Sequence, residues 1–187
     1  MKSPYSFIVK PYNNRRYDNI KSYGDIEFIT STSEEDHKSS NRFAIVVATP
    51  INYTGPVKEG DILLVHHNVF KYYNDMYGRE KSGKSFFKDD LFFIDFDQFF
   101  LYYNKEEWKS HSKYCFIKPI PPKKSFLGKT GKEEPLMGVV KYNNQELKNL
   151  GVKVGDEVSF TPESEYEFYV EDEKLYRMFT DNITMIM

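Results

Sequence analysis

The sequence contains one cysteine, Cys115, among 187 residues, which excludes an internal disulfide framework and a zinc site built from several cysteines. No apolar run approaches the ~20 residues that span a bilayer, and residues 1–10 lack the apolar core of a signal peptide. Basic residues are not in excess either, because the net charge is -2, whereas nucleic-acid-binding domains usually carry a clear basic surplus. These absences predict a cytoplasmic protein with no membrane partner and make a nucleic-acid partner unfavoured.

Aromatic side chains, by contrast, are abundant. The chain has 15 tyrosines and 16 phenylalanines, and its aromatic fraction is 17%. Each buried aromatic side chain removes about 150–250 Å² from water, so a few of them support a small core. Because valine, isoleucine, tyrosine and phenylalanine also favour strands, the composition predicts an all-β protein.

Three short motifs occur twice along the chain, in the same order. The pairs are SFIVKP (residues 6–11) with YCFIKP (114–119), VKEGDIL (57–63) with VKVGDEV (152–158), and LFFI (91–94) followed by Asp97 with LYRM (175–178) followed by Asp181. The spacing between copies shrinks along the chain, so the second copy has shorter loops. The repeat predicts two modules, residues 1–109 and residues 110–187.

Each copy contains the same succession of predicted strands. They are residues 43–48 and 62–65 with a hairpin at 85–96 in the first copy, and residues 137–140 and 157–160 with a hairpin at 168–179 in the second. In the Lys-x-Gly-Asp turns we expect glycine to take a positive φ and aspartate to bond to nearby backbone amides. Short, evenly spaced strands predict a small β-barrel in each half, joined by a polar linker at residues 106–112.

A long polar stretch at about residues 13–41 is predicted to form a mobile loop, since its composition cannot bury enough surface to order itself. It nevertheless contains an apolar island, Ile26, Phe28 and Ile29, which begins two residues after Gly24. Apolar residues in a flexible loop indicate a segment that orders on meeting a partner. The alternative interpretation is that residues 26–29 form an ordinary edge strand.

This layout resembles that of the GroES-like co-chaperonins. The segment VKVGDEV (residues 152–158) is similar to the family's Val-Lys-Val-Gly-Asp motif, and residues 171–177 with 181–183 are similar to its C-terminal hairpin and last strand. The first half adds KEGD (residues 58–61) and the long loop. The resemblance implies two tandem GroES-like β-barrels, as in the tandem co-chaperonins of some organelles, and it extends to the diverged co-chaperonins of phages. For a phage protein, the cytoplasm would be that of the host.

The resemblance also implies a function. Co-chaperonins of this family assemble into homo-oligomeric rings that cap a GroEL-like, ATP-driven chaperonin and assist protein folding. Carried over to this chain, the docking patch of the mobile loop is Gly24, Ile26, Phe28 and Ile29, although Glu27 interrupts it. In the shortened second loop, Phe126 and Leu127 would make a second contact. A protein of this kind has no catalytic residue, no cofactor and no metal.

Two other functions remain open from the sequence. One is a structural or assembly protein that has the GroES-like fold but does not bind a chaperonin. The other is a single-stranded nucleic-acid-binding β-barrel, in which aromatic runs between residues 86 and 103 stack on bases. Acidic neighbours such as Asp89, Asp90, Asp95 and Asp97 would repel phosphate, so we expect these aromatic residues to form core or interface.

A literal phosphate-binding-loop pattern, GREKSGKS, occupies residues 78–85. Such a loop follows a buried strand and opens a helix, but the apolar run at residues 91–94 leaves no room for a helix. Nucleotide binding is therefore not expected.

His66 and His67 form an adjacent histidine pair. On a strand they would point to opposite faces, so we expect diverging rings and no metal site. Cys115 lies within a predicted strand, where a free thiol is usually a small buried hydrophobe.

Overall fold

The computed structural model describes residues 1–17, 20–24, 26–29, 39–122 and 133–187. β-Strands are the main regular structure of these residues, which also contain one short α-helix, so the protein is all-β as the composition predicts. The chain divides into two compact units, Met1–Glu107 and Trp108–Met187. None of the helices in the described ranges has the length and apolar character needed to cross a membrane.

In its described residues, the first unit contains ten complete strands and a short 3₁₀ helix at Tyr12–Asn14. The strands are β1 (Phe7–Pro11), β2 (Ile20–Tyr23), β3 (Ile26–Ile29), β4 (Phe43–Ala48), β5 (Ile62–Val65), β6 (Tyr72–Asn74), β7 (Glu80–Ser82), β8 (Phe86–Lys88), β9 (Leu91–Ile94) and β10 (Phe99–Asn104). Six of them lie in one antiparallel sheet in the order β10-β5-β4-β1-β9-β8, while β2–β3 and β6–β7 form separate two-stranded hairpins. A further strand, β11 (Glu107–Ser110), begins at the last residue of this unit.

The second unit repeats the six-stranded sheet with little added to it. Its elements are β12 (Tyr114–Pro119), β13 (Met137–Tyr142), α1 (Gln145–Asn149), β14 (Glu157–Phe160), β15 (Tyr166–Val170), β16 (Glu173–Phe179), a 3₁₀ helix at Thr180–Asn182 and β17 (Ile183–Ile186). The sheet order is β17-β14-β13-β12-β16-β15. When the strands are matched in chain order, this order is the same as in the first unit.

The opening strand is central in both sheets, and its pairing has the same irregularity in each. Strand β1 pairs with β4 on one side and β9 on the other, with a bulge between Ile8 and Val9. Strand β12 pairs likewise with β13 and β16, with a bulge between Phe116 and Ile117. In both pairs the extra residue belongs to the partner strand, Val47 in β4 and Lys141 in β13. A bulge of this kind increases the local twist of the strand that contains it.

The Lys-x-Gly-Asp turns have the predicted geometry in both units. Gly60 and Gly155 have φ values of +89° and +95°. The side chains of Asp61 and Asp156 each accept a hydrogen bond of 2.7 Å from the backbone N–H three residues earlier. Glycine is favoured here because an L side chain is strained at such a φ, and the aspartate secures the turn.

A second pair of equivalent side chains was not predicted from the sequence. The amide oxygen of Gln98 accepts a 2.9 Å hydrogen bond from the backbone N–H of Asp95. The amide oxygen of Asn182 accepts one of 3.0 Å from the backbone N–H of Phe179. Each amide closes the turn that leads into the last strand of its sheet.

Each unit contains a buried apolar cluster to which several strands of its sheet contribute. The buried cluster of the first unit draws on five of the six strands, with Phe7, Val9, Ala44, Val46, Leu63, Val65, Phe92, Ile94, Phe99 and Tyr102. The cluster of the second unit contains Cys115, Ile117, Val140, Leu147, Val152, Val158, Phe160 and Met178. Most strands of each sheet therefore contribute to a single buried cluster.

The aromatic run of β10 is buried on both faces. Successive residues of a strand point to opposite faces, and all four residues from Phe99 to Tyr102 are buried. This agrees with the interpretation of the run as core. Phe87 and Phe96, which belong to the same aromatic-rich region, are exposed.

Helix α1 is held against the core of the second unit by a buried asparagine. The Asn144 side chain accepts a 2.8 Å hydrogen bond from the backbone N–H of Leu147, which caps the helix. Its amide nitrogen donates to the backbone oxygen of Tyr114 and to Oγ1 of Thr180, at 3.1 Å and 2.8 Å. Leu147 can therefore fill the core while its helix end remains satisfied.

Residues 106–112 contain a strand where the sequence predicts a polar linker, although the division between the two units does fall among these residues. Strand β11 occupies Glu107–Ser110, and a tight turn precedes it. Lys105 and Glu106 both take a positive φ, +50° and +69°, which is the geometry of a two-residue hairpin turn. Polar residues fill this strand as readily as a linker, so composition alone did not distinguish the two.

We expect Gly138→Ala to destabilise the second unit by about 1–3 kcal/mol, since overpacking a close contact costs that much. A Cβ atom at this position would lie 2.7 Å from the backbone oxygen of Lys118 and would also meet Cγ2 of Ile117. Urea unfolding followed by circular dichroism measures the loss. Glu157→Gln, at an exposed position of the neighbouring strand β14, is the control and should shift stability by less than about 0.5 kcal/mol. Equal stabilities for the two variants would contradict the close approach of β12 and β13.

Candidate functional site

The described part of the long loop forms a β-hairpin. Strands β2 and β3 are antiparallel, with Tyr23 opposite Ile26 and Ile20 opposite Ile29. The two-residue turn between them begins at Gly24, whose φ is +64°. Two-residue hairpin turns require positive φ, which glycine adopts without strain. Residues 26–29 are thus a strand, but in a two-stranded sheet of their own.

Of the predicted docking patch, Gly24 lies in the turn of this hairpin, and Ile26, Phe28 and Ile29 belong to its strand β3. Ile26 is 60% exposed. In the second unit, the predicted contact residues Phe126 and Leu127 lie outside the described residues.

A buried asparagine closes the base of the loop. Asn41 donates from its side-chain amide to the backbone oxygens of Tyr12 and Arg15, at 2.9 Å and 2.7 Å. Its amide oxygen accepts a 2.9 Å hydrogen bond from the backbone N–H of Phe43. One side chain therefore joins the segment that leaves β1 to the segment that enters β4.

The next residues extend this closure by a further step. Tyr17 and Ser40 form an isolated antiparallel bridge. The hydroxyl of Ser40 donates a 2.9 Å hydrogen bond to the backbone oxygen of His67, just beyond β5. The two ends of the loop are thus paired with each other and fixed to the sheet.

Arg16 attaches the loop base to the aromatic side chains of the first unit. Its guanidinium lies 5.8, 5.2 and 4.9 Å from the ring centres of Tyr72, Phe86 and Phe92. It also donates a 3.3 Å hydrogen bond to Oγ of Ser82. A cation over aromatic faces is attracted to them, so Arg16 holds the loop base against hairpin β6–β7 and strands β8 and β9.

Neither Arg16 nor Asn41 was singled out from the sequence. In the sequence Arg16 is one of many polar residues. No local pattern indicates its aromatic partners, because they lie more than fifty residues further along the chain. The one sequence signal for Asn41 is its position just before the apolar run of β4 at residues 43–48, where a loop ends and a strand begins.

The GREKSGKS pattern is a hairpin and not a phosphate-binding loop. Gly78 lies in the turn between β6 and β7, with a φ of +73°. Strand β8 begins at Phe86, immediately after the pattern, where a phosphate-binding loop would open a helix. The backbone here lacks the strand–loop–helix arrangement that places amide groups around a phosphate.

The expectation that the rings of His66 and His67 diverge is wrong. Their centres are 4.1 Å apart and the ring planes are inclined by 31°. Strand β5 ends at Val65, so the two histidines lie in a turn where the alternation of strand faces no longer applies. Nδ1 of His66 accepts a 3.2 Å hydrogen bond from the backbone N–H of Asn68. Within the described residues, no three His, Cys, Asp or Glu side chains form a group that could hold a metal ion.

Cys115 is fully buried, as predicted from its position in a strand. Burial raises the pKa of its thiol to about 12. The thiol lies 3.6 Å from the backbone oxygen of Met178, to which it donates. A thiol that stays protonated is a poor nucleophile and a poor metal ligand.

In the second unit, Glu133, which precedes β13, contacts two side chains of strand β16. Its carboxylate accepts a hydrogen bond from the Tyr176 hydroxyl and a 2.7 Å one from Lys174. Burial, and then the hydrogen bond to Glu133, raise the pKa of Tyr176. Burial opposes the charge on Lys174, but its hydrogen bonds to Glu133, Tyr176 and Glu167 outweigh this effect and raise its pKa. Strand β16 thus holds the chain at Glu133.

The candidate site therefore consists of hairpin β2–β3, the exposed Ile26 and a base closed by Asn41 and Arg16. No protein-family model and no curated protein matches the chain.

We expect Asn41→Ala to lower the free energy of unfolding of the first unit by about 1–3 kcal/mol, because it leaves buried backbone groups without partners. Urea unfolding measures the change. Asn68→Ala, at an exposed asparagine, is the matched control and should be nearly neutral. If Asn41→Ala is as stable as this control, the side chain does not close the loop.

We also expect the native protein to resist alkylation by iodoacetamide at mildly alkaline pH, because the raised pKa keeps the Cys115 thiol protonated and burial blocks access. In concentrated guanidinium chloride the same thiol should react completely, and mass spectrometry quantifies both states. The variant Lys153→Cys, which adds a thiol at an exposed turn, should take up one label in the native state. Rapid labelling of native Cys115 would contradict its burial.

Proposed function

We propose that this chain is a two-module co-chaperonin that caps an ATP-driven chaperonin ring and assists protein folding. The observation that carries the proposal is the excursion between β1 and β4, which is closed at its base and presents the exposed Ile26 on a hairpin. The resemblance to GroES-like co-chaperonins implies a chaperonin-binding loop between the corresponding strands. In this proposal Gly24 forms the turn, and Ile26, Phe28 and Ile29 form the patch that docks.

The duplicated sheet supports the finer part of the proposal, which is two tandem barrels of the GroES-like type. Both units have the same strand order, the same bulge in the strand next to the central one and the same Lys-x-Gly-Asp turn. In each unit, several strands of the sheet also contribute to a single buried cluster. A small closed or nearly closed barrel is a common way for such a sheet to bury its inner face.

The energetics of the hairpin suit a contact that forms and breaks in each cycle. Burying one large aliphatic side chain contributes about 1.5–3 kcal/mol, whereas fixing the backbone of a residue costs about 1–2 kcal/mol. The paired strands and the fixed loop base reduce the number of residues that must be ordered on binding. Each contact is therefore weak, and several copies in a ring raise the total affinity.

Assembly into a homo-oligomeric ring is part of the proposal. Strand β17 is the last strand in the order of its sheet, and its residues Met185 and Ile186 are exposed. An apolar edge strand is suited to pairing with another chain. The proposed activity is binding alone and needs no catalytic residue, cofactor or metal in this chain, because the partner hydrolyses ATP.

We expect Ile26→Asp to lower the affinity for a purified GroEL-type chaperonin by at least about tenfold, since each lost burial of about 1.5–3 kcal/mol corresponds to a factor of ten or more. Co-elution with the chaperonin in the presence of ATP measures binding, and native mass spectrometry reports whether the ring still forms. Met76→Asp is the matched control, because Met76 is an apolar residue of the same unit that is 90% exposed on another hairpin.

Unchanged binding of Ile26→Asp would remove the hairpin from the mechanism. A ring that forms but does not bind the chaperonin would favour a structural or assembly role for the fold. Salt-dependent binding to single-stranded nucleic acid would favour the third candidate function.

A further inference from the structure

An open cleft of about 540 Å³ lies in the first unit, apart from the residues of the docking hairpin. It is bordered by the segment that precedes β1, the connection that follows β4 and the turn that follows β9. The residues that matter for its chemistry are Pro4, Tyr5, Pro50, Tyr53, Asp95 and Phe96. Sequence reasoning missed this cleft, because its walls come from distant parts of the chain.

Two aromatic rings of the cleft, those of Tyr53 and Phe96, pack against the buried ring of Phe7. The ring centres of Tyr53 and Phe96 lie 5.0 and 5.3 Å from that of the buried Phe7, both in edge-to-face contact. They are 5.8 Å from each other. The hydroxyl of Tyr53 accepts a hydrogen bond of 3.4 Å from the backbone N–H of Val57, which fixes the outer end of its ring.

A glycine makes room for one of these rings. A Cβ atom at Gly55 would collide with the ring of Tyr53. Any larger residue at this position would therefore displace the Tyr53 ring. The wall of the cleft is thus preorganised, and a preformed surface loses less entropy on binding.

The N-terminal wall is also anchored, in spite of its position near the start of the chain. The backbone N–H of Ile51 donates a 2.9 Å hydrogen bond to the backbone oxygen of Ser3. The hydroxyl of Ser6 donates a 2.7 Å hydrogen bond to Oδ1 of Asp95. Tyr5 lies between these two attachments and is 82% exposed, so its ring is available to a ligand.

Asp95 is the one charged side chain among the described residues that line the cleft. Its backbone N–H is bound by the side chain of Gln98 at 2.9 Å, which fixes the turn that presents the carboxylate. A carboxylate has two oxygens and about four acceptor positions, so the hydrogen bond from Ser6 leaves it able to accept more. The cleft thus combines aromatic faces with a negative charge and lacks a lining cation.

We propose that this cleft binds a lysine or arginine side chain presented by a peptide segment of a partner protein. Aromatic faces attract a cation and also pack against its aliphatic stem, while the carboxylate pairs with the charged end. A cleft of this size is in the range of about 300–1,000 Å³ that holds drug-sized ligands, so it accommodates a few residues and not only one ammonium group. The prolines and rings of the walls suit an extended segment.

The proposal does not depend on the chaperonin, and its test uses the full chain with short peptides. The probes are a blocked pentapeptide with lysine at its centre and the same peptide with norleucine, which keeps the stem and removes the charge. Backbone NMR titration should show binding of the lysine peptide with shifts at residues 4–6, 50–55 and 95–96. The norleucine peptide should bind at least about tenfold more weakly, and added salt should weaken the lysine peptide.

Two variants locate the interaction, each with a matched control. Asp95→Asn keeps an acceptor for Ser6 but removes the charge, and we expect about a tenfold loss of affinity. Tyr5→Ala removes an exposed ring, and we expect a loss of about threefold or more. Asp90→Asn and Tyr77→Ala change an exposed acid and an exposed tyrosine of the same unit outside the cleft, and they should bind as the wild type does.

Several results would overturn the proposal. They are equal binding of the lysine and norleucine peptides, an unchanged affinity in Asp95→Asn when its spectrum shows a native fold, or shifts that map elsewhere on the chain. Absence of binding at millimolar peptide would do the same. Binding of tetramethylammonium without binding of the lysine peptide would replace the peptide by a small cationic ligand.

Discussion

The pairing of the first strand of each unit with strands on both of its sides is the constraint on which the rest of the structure depends. In the first unit, Val9 lies opposite Val46 in one neighbour and opposite Phe92 in the other. Strand β9 lies far along the chain from β1. Their pairing therefore brings the two ends of a long chain segment together and joins strands that are distant in sequence into one sheet. The second unit repeats the pairing with β12. Phe7, on the same central strand, supports the rings of the cleft from inside the core.

The same pairing explains how the first unit carries a long excursion. Strands β1 and β4 lie side by side, so the ends of the chain between them are already close. The entropic cost of closing a loop grows only slowly with its length, so extra residues there have little effect on the sheet. Asn41 and Arg16 then hold the base in a defined place. The excursion can present a hairpin without disturbing the core from which it leaves.

Most of the sheet could be predicted from the sequence, because its signals are local. Strands β5 and β14 follow directly on a Lys-x-Gly-Asp turn, and both occupy the residues that the sequence predicts. The mistakes arose where a strand ends or where polar residues form one. His66 and His67 lie just past β5, and β11 is too polar to be recognised as a strand.

The site was less predictable, because its contacts join residues that are distant in sequence. Gly24 and Ile26 were found from a local pattern. The cation–π contacts of Arg16, and the hydrogen bond of Ser6 with Asp95, depend on how strands come together. Composition and motif spacing do not indicate such contacts, which can be identified only in the folded structure.

The two units of this chain show how far two sequences can differ while the same strand order is kept. The contacts that occur in both units are made largely by backbone atoms. Any residue supplies these atoms, except that proline has no N–H to donate. Side chains are dictated only at a few points, such as the glycine and aspartate of each turn, and even there Gln98 and Asn182 perform one task with different residues. Almost everywhere else the two halves differ in sequence. What they share is three short motifs and the order of the strands.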